Sequence, residues 1–507
     1  MKPLVAALFG SVIFLLWMGS SSSGKLFEKL NWKQRIHSKG VRKNVIKKQS
    51  NTSPNFLSMT DNGPAGVTNV KQPGGTLAAA VGDGTSDDTS AIQAIINHAA
   101  RTSNNQTVFF PPGEYLVSRD IFIRGSVEIR GTESGIAIIK ASIPYAKKIY
   151  SASPANAVAL KHLWLDGIRV EFDGGAQGIS STKDMKAFNC VFFSTASPTV
   201  TNAKKQQLKL AHLTNGTVER CVFLRDSSAF GVASTFSKTV SVNFTRNVCG
   251  LDLSKVAWLS TELESATHWL VQKEKLGFLK THYHLADDQG FFKSCLYDQC
   301  DEHMTIFKNV FNGSPKTGSR HKDHVVYLKG FNSMIFESNY ARGWPADPTG
   351  GIKARNGKHL WLARNYIDGT GILMYTHRKT KNCLNDGFEN AVIYGNHIVQ
   401  RSNYGHRASG ISYYEPHFTG RDENVTYSAN EFEFIGVSDP TIYECIWLTN
   451  GALSHHHVYQ DNVYYGTTTK VKLEARHTAP SFQTGNISIQ IKNRFNYRPY
   501  KLDIPTY

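Results

Sequence analysis

The sequence is short of several things, and each shortage excludes a class of protein. Cysteine is scarce, 7 in 507 residues, and no two stand in a Cys-x-x-Cys pair. A zinc site of the usual spacing is therefore not encoded. The odd count leaves at least one free thiol if the chain is secreted. Acidic residues are outnumbered, 40 against 57 Lys and Arg, for a formal net charge of +17. That excess calls for an acidic partner: nucleic acid, an anionic membrane surface or an acidic polysaccharide. One long apolar run exists, from Leu4 to Met18, and it is slightly short for a membrane span. Wholesale disorder is excluded by 40% hydrophobic and 11% aromatic residues. The length allows a large core or two to three ordinary domains.

The amino end reads as a targeting segment. Met1-Lys2 precedes the apolar run, and small and polar residues follow from Gly19 to Gly24. This pattern predicts a secretory signal over 1–24, with an uncleaved signal anchor as the alternative. The expected location is extracellular, with no membrane contact beyond that anchor. Secretion argues against a nucleic-acid partner. Residues 25–74 form a basic linker or stem, and in its stretch 25–48 nine Lys and Arg face one acid, Glu28. With Lys2, the first 48 residues hold +9 and leave +8 for the rest. Asn-x-Ser/Thr sequences at Asn51, Asn105, Asn215, Asn243, Asn312, Asn424 and Asn486 offer glycosylation sites, a pattern this composition also yields by chance.

A repeat is hidden among the asparagines. Asn or Cys followed by an apolar pair recurs at 190, 221, 247, 309, 339, 365, 396, 430 and 462. The intervals are 31, 26, 62, 30, 26, 31, 34 and 32, the 62 being two periods. Each unit holds two or three short β-branched or aromatic runs separated by Gly and Asn. Such units stack as coils of a parallel β-solenoid, because one coil cannot bury its own inner face. Asn at a fixed turn position tolerates a left-handed backbone and can bond to the Asn one coil away. Cys190 and Cys221 take the same place as stacked core residues. A β-sandwich gives no reason for a phrase recurring near 31 residues. Within the long interval, 254–276 has helix-like spacing and is expected to be an insertion.

The body opens with Val81-Gly82-Asp83-Gly84-Thr85-Ser86-Asp87-Asp88-Thr89-Ser90-Ala91-Ile92, a Gly/Asp turn leading into a capped amphipathic helix. Val108-Phe109-Phe110-Pro111-Pro112-Gly113-Glu114-Tyr115-Leu116-Val117 follows as strand, turn, strand. This pair resembles the opening of the pectate-lyase superfamily. The resemblance implies an all-β, right-handed, single-stranded parallel β-helix over 75–507, whose N-terminal helix caps the open end. It makes Asp83, Asp87 and Asp88 structural rather than catalytic. It leaves the chemistry open, since lyases, hydrolases, epimerases and phage tailspikes share the motif.

The asparagine phrase also works as a ruler. Lys329 and Arg355 each lie ten residues before their Asn, in consecutive coils. Alternation turns Val326, Leu328, Ile352 and Ala354 inward and Tyr327, Lys329, Lys353 and Arg355 outward. Laying Gly371–His377 and Gly410–Glu415 on the same strand adds Tyr375, His377 and Tyr414. Stacked like charges repel, so an undemanding surface would alternate their signs. Cations for carboxylates and rings for sugar faces suit a uronic acid polymer. Cleavage by β-elimination needs a cation on the carboxylate, a base for the C5 proton and an acid for the leaving oxygen. A lysine beside another cation has a lowered pKa and can serve as that base.

The stretch from Lys329 to Gly357 resembles the Lys/Arg site of β-helix lyases of the alginate lyase and chondroitinase B family. The resemblance implies Lys329 as base and Arg355 as the acid. The other members of the column, Tyr327, Lys353, Tyr375, His377 and Tyr414, are the expected substrate contacts. About five extra residues around Trp344–Pro348 depart from it. The family's calcium-binding acids have no clear equivalent, and Asp287, Asp288, Asp301 and Glu302 are the nearest candidates for Ca²⁺. Without the ion, Lys353 can neutralise the carboxylate. The expected protein is a secreted, monomeric lyase of an acidic polysaccharide. The alternatives are a uronan epimerase, a polygalacturonase-like hydrolase and a non-catalytic glycan-binding surface protein. A hydrolase needs paired carboxylates, for which Asp287-Asp288 and Asp323 are on offer. The Asn-Thr-Asp, Gly-His-Gly and Arg-Ile-Lys phrases of polygalacturonases are missing.

Overall fold

The computed structural model describes residues 67–492, except 103–105, 145, 152–156, 176–182, 195–205, 226–230, 253–272, 286–287, 290–291, 293, 314–323, 343–350, 378–386, 402–407, 415–421, 436–442, 450–456, 461 and 467–489. The expected signal segment and nearly all of the basic linker lie outside these residues. No helix among the described residues is long and apolar enough to cross a membrane.

The chain is all-β and coils on itself. Among the described residues, strands join two sheets of 23 and 13 strands and one two-stranded ribbon. Neighbouring coils pair in parallel, each coil laying its strands on those of the last. Strand Val310–Asn312 pairs with Tyr340–Arg342, which pairs with Tyr366–Asp368, which pairs with His397–Arg401. This is a parallel β-helix. The ladder already includes Thr68–Asn69, which pairs with Val108–Phe109 ahead of residue 75.

The asparagine repeat is a buried amide ladder. The Oδ1 of Asn309 accepts both the backbone N–H and the Nδ2 of Asn247, at 2.8 and 3.1 Å. Asn339 does the same for Asn309, and the pattern runs through Asn365, Asn396 and Asn430 to Asn462. Each Nδ2 also donates to a carbonyl of the preceding coil, as Asn339 does to Ile306. The buried side-chain amides of the ladder are thereby satisfied within the protein. The Oδ1 of Asn247 takes the N–H of Cys221, where the ladder gives way to the buried, unbridged Cys221 and Cys190.

One detail differs from the expectation. The left-handed backbone belongs to the residue before the Asn, from Asn247 to Asn430: Arg246, Lys308, Ser338, Arg364 and Ala429 have φ near 55°, and Gly395 has 60°. The N–H of that residue donates to a carbonyl in the next coil, as Lys308 does to Glu337 and Arg364 to Tyr394. The surrounding bonds hold the strained conformation in place, and the Asn is there for its amide.

The interior is a stack of rings and aliphatic side chains. Phe192, Phe223, Phe244, Phe311 and Phe336 lie 4.8 to 6.3 Å apart from one coil to the next. Helix Thr89–Thr102 adds Ile92, Ile95, Ile96 and Ala99 to this core. Asp87 accepts the N–H of Thr89 at its start, and Asp88 accepts those of Val81 and Gly82. Asp83 holds the turn through Thr85 and Ser86.

Most of the expected insertion, 254–276, lies outside the described residues. A helix begins in its last residues and runs beyond it, at Lys273–His282. Leu279, Leu285 and Tyr283 pack on the outer face of the 13-stranded sheet, against Ile138, Trp164 and Phe193. The disulfide Cys249–Cys295 bridges the two ends of this excursion. Just inside it, Leu251–Asp252 and Asp288–Gln289 form the antiparallel ribbon.

Candidate active site

Strands Val326–Glu337 and Ile352–Ala363 are the longest described, and they lie side by side in register. Tyr327 pairs with Lys353 and Lys329 with Arg355. Arg355 then pairs with Tyr375, and Tyr375 with Tyr414. The column read from the ruler is therefore a physical column of ladder neighbours, about 4.8 Å apart. Val326, Leu328, Ile352 and Ala354 are fully buried, while Tyr327, Lys329, Lys353, Arg355 and Tyr375 are half-buried on the other face.

The side chains interlock. Lys353 Nζ sits between two rings, 5.0 Å from the centre of Tyr327 and 4.2 Å from that of Tyr375. The Arg355 guanidinium lies 5.5 Å from the Tyr375 ring and donates to the Tyr327 hydroxyl at 3.3 Å. His377 stacks on Tyr375 at 5.6 Å, and its backbone N–H and C=O are both held by the Asn356 side chain, at 2.9 and 2.7 Å. Cation–π contacts of this kind orient a charged group on ring faces. Burial, and then the Arg355 charge beside it, lower the pKa of Lys329. The side chain of Tyr414 lies outside the described residues.

Of the metal candidates, the structure describes the side chains of Asp301 and Glu302. Asp301 is buried beside Asp298 and accepts the Thr239 N–H. Glu302, next along the chain, is exposed. Asp287 lies outside the described residues, as does Asp323, and of Asp288 the backbone alone is described. Among the described residues no three His, Cys, Asp or Glu side chains converge.

Two neighbours escaped the sequence reading. Tyr297 pairs with Tyr327 one coil earlier, its ring edge-on at 5.2 Å. Alternation through Leu296-Tyr297-Asp298-Gln299 carries that signal, but the long interval hid the coil. His324, buried, sets its ring edge against Tyr327 at 5.7 Å. It precedes the strand, where periodicity says nothing.

Residues 68–258 match the family described as rhamnogalacturonase A/epimerase, pectate lyase-like. That supports a pectate-lyase-like β-helix, and the match ends before Lys329. Two mannuronan C5-epimerases of Azotobacter vinelandii are similar over short stretches. AlgE6 is 38% identical over 103 residues, 18% of this chain and 12% of its own. AlgE1 is 34% identical over 113 residues, 20% of this chain and 8% of its own. The chain thus spans a small part of the length of these curated relatives. Among solved structures, the surface protein and adhesin PfbA of Streptococcus pneumoniae aligns with 85% of this chain and 100% of its own, at 12% identity and a TM-score of 0.42. The A-module of AlgE6 aligns with 85% and 100%, at 15% identity and a TM-score of 0.35.

Proposed function

We propose that this protein is a carbohydrate-active enzyme that cleaves a uronic-acid-containing polysaccharide by β-elimination. The observation that carries the reading is the pairing of half-buried Lys329 with Arg355, which favours the neutral amine. In this reading Lys353, held between two tyrosine rings, faces the substrate carboxylate and makes the C5 proton acidic. Neutral Lys329 takes that proton. The C5–H electrons form the C4–C5 double bond, the C4–O bond breaks, and the glycosidic oxygen is protonated from the Arg355 and Tyr327 side. Tyr375, His377 and Tyr414 offer faces and edges to neighbouring sugars. Ca²⁺ enters none of these steps.

We read the solenoid as right-handed, the hand that parallel crossovers take, the helix Thr89–Thr102 as its cap, and the chain as secreted. The test is a panel of acidic polysaccharides, with and without a chelator, followed by the ultraviolet absorbance of the unsaturated sugar end. Growth of that absorbance with chain shortening is expected. Shortening without it excludes elimination.

The similarity to mannuronan C5-epimerases favours a second reading. Epimerisation shares the abstraction step but returns a proton to the opposite face of C5. Solvent deuterium at C5 in chains of unchanged length is its signature.

A further inference from the structure

The outward column through Tyr327 and Lys353 does not stop at the candidate site. Followed towards the first coils, Tyr327 pairs with Tyr297, then Thr235, Lys209, Glu171, Tyr150 and Phe122. Tyr150 and Phe122 are half-buried, with ring centres 4.8 Å apart and planes tilted by 57°. Lys148 Nζ lies 4.1 Å from the Tyr150 ring centre, and Arg124 lies 5.9 Å from that of Phe122. A second aromatic pair flanked by cations therefore stands on the face that carries the first.

The charges along the way favour an anionic chain. Glu171 is the acid of the column, and it lies 3.6 Å from Lys148 and 2.7 Å from Arg169. Lys209 is its ladder neighbour on the far side. Asp120 accepts the Lys148 backbone N–H. With Arg124, four cations meet two acids. The core makes no demand for rings here, since Ile121, Ile123, Ile149 and Val170 fill the opposite side of these strands. An ordinary solvated pair would satisfy the ladder equally well; what distinguishes this one is its register with the site.

Five ladder steps separate Tyr150 from Tyr327, or about 24 Å at about 4.8 Å per step. The solenoid fixes that distance. We propose that Phe122, Tyr150, Lys148 and Arg124 form a distal platform that binds a remote segment of the same acidic polysaccharide chain, rings against sugar faces and cations against carboxylates. The proposal rests on the reading of the Lys329 site as uronan-specific, and it adds a dependence on chain length. A chain that reaches both places binds the second one intramolecularly, so polymers gain affinity that short oligosaccharides cannot.

The test compares the full chain with its Tyr150→Ala and Lys148→Gln variants. Binding is read by retardation in native gels cast with alginate, polygalacturonate or neutral dextran. The polymer-over-tetrasaccharide preference is read from turnover. Wild type is expected to be retarded by a polyuronate and not by dextran. Tyr150→Ala is expected to bind that polymer about tenfold more weakly, with the polymer preference falling to match. Lys148→Gln removes the charge and keeps most of the side chain, so it decides the matter if Tyr150→Ala fails to fold. Variants retarded like wild type overturn the platform, even where turnover proceeds. Retardation that depends on Tyr150 without any turnover upholds the platform and sinks the chemistry assigned to Lys329.

Discussion

Lys329 and Arg355 are direct partners in the parallel ladder, two cations stacked on adjacent strands of one face. Such a pair opposes its own charge, and the lysine is the member that yields. Its pKa falls through burial first and the Arg355 charge second.

Lys329→Ala is expected to lower turnover of the cognate uronan by about 10²–10⁴, the usual contribution of a positioned general base. Arg355→Ala removes the charge that lowers the lysine pKa. Because the neutral amine is the active form, the rising limb of the pH–rate profile should move to higher pH. A limb that stays in place, measured over the full profile, contradicts the assignment of Lys329 as base.

The amide ladder predicts a stability effect. Asn339 accepts the N–H and the Nδ2 of Asn309 and donates to Ile306 and Asn365. Asn339→Ala leaves several buried groups unpaired and should cost about 2–4 kcal/mol. The exposed pair Lys358–Glu389 offers a control. Lys358→Ala should stay within about 0.5 kcal/mol, as surface changes do. Denaturant unfolding of both variants, at one temperature, makes the comparison.

Buried acids predict how stability varies with pH. Burial pushes Asp166 up to about 7. Asp301 is raised by burial and by the charge of Asp298 beside it, and Asp298 is raised by burial. A carboxyl whose folded pKa is raised stabilises the fold when protonated. That contribution is complete below the ordinary value of 3.8 and is lost as pH rises through about 7. Asp166→Asn and Asp298→Asn should each flatten the decline in Tm between mildly acidic and neutral pH. Wild type and variants that decline in parallel would count against these groups.

The cysteines predict a labelling pattern. Cys190 and Cys221 are buried and unbridged, whereas Cys249 is joined to Cys295 and Cys300 is also disulfide-bonded. Burial raises the Cys221 thiol far above its ordinary range. Peptides carrying Cys190 and Cys221 should take up an alkylating agent after unfolding and not before. Mass spectrometry of non-reduced digests should recover the peptide pair linked through Cys249 and Cys295.

The sequence by itself determined the coil. A corner needs an amide that can bond along the stack, so Asn recurs near 31 residues, and alternation within each strand divides Leu328 from Lys329 without any coordinates. The same two periodicities placed Lys329, Arg355, Tyr375 and Tyr414 in one column, because register in a solenoid follows from counting. Counting fails where coils differ in length. Tyr297 was hidden by the long interval before Asn309, and the helix Lys273–His282 seats itself on an outer face that no local pattern names. The left-handed residue before the Asn, from Asn247 to Asn430, the joining of Cys249 to Cys295 and the burial of Asp298 beside Asp301 are likewise tertiary decisions. Each depends on which coil lies against which, and that is settled by the packing of the whole stack rather than by any one repeat.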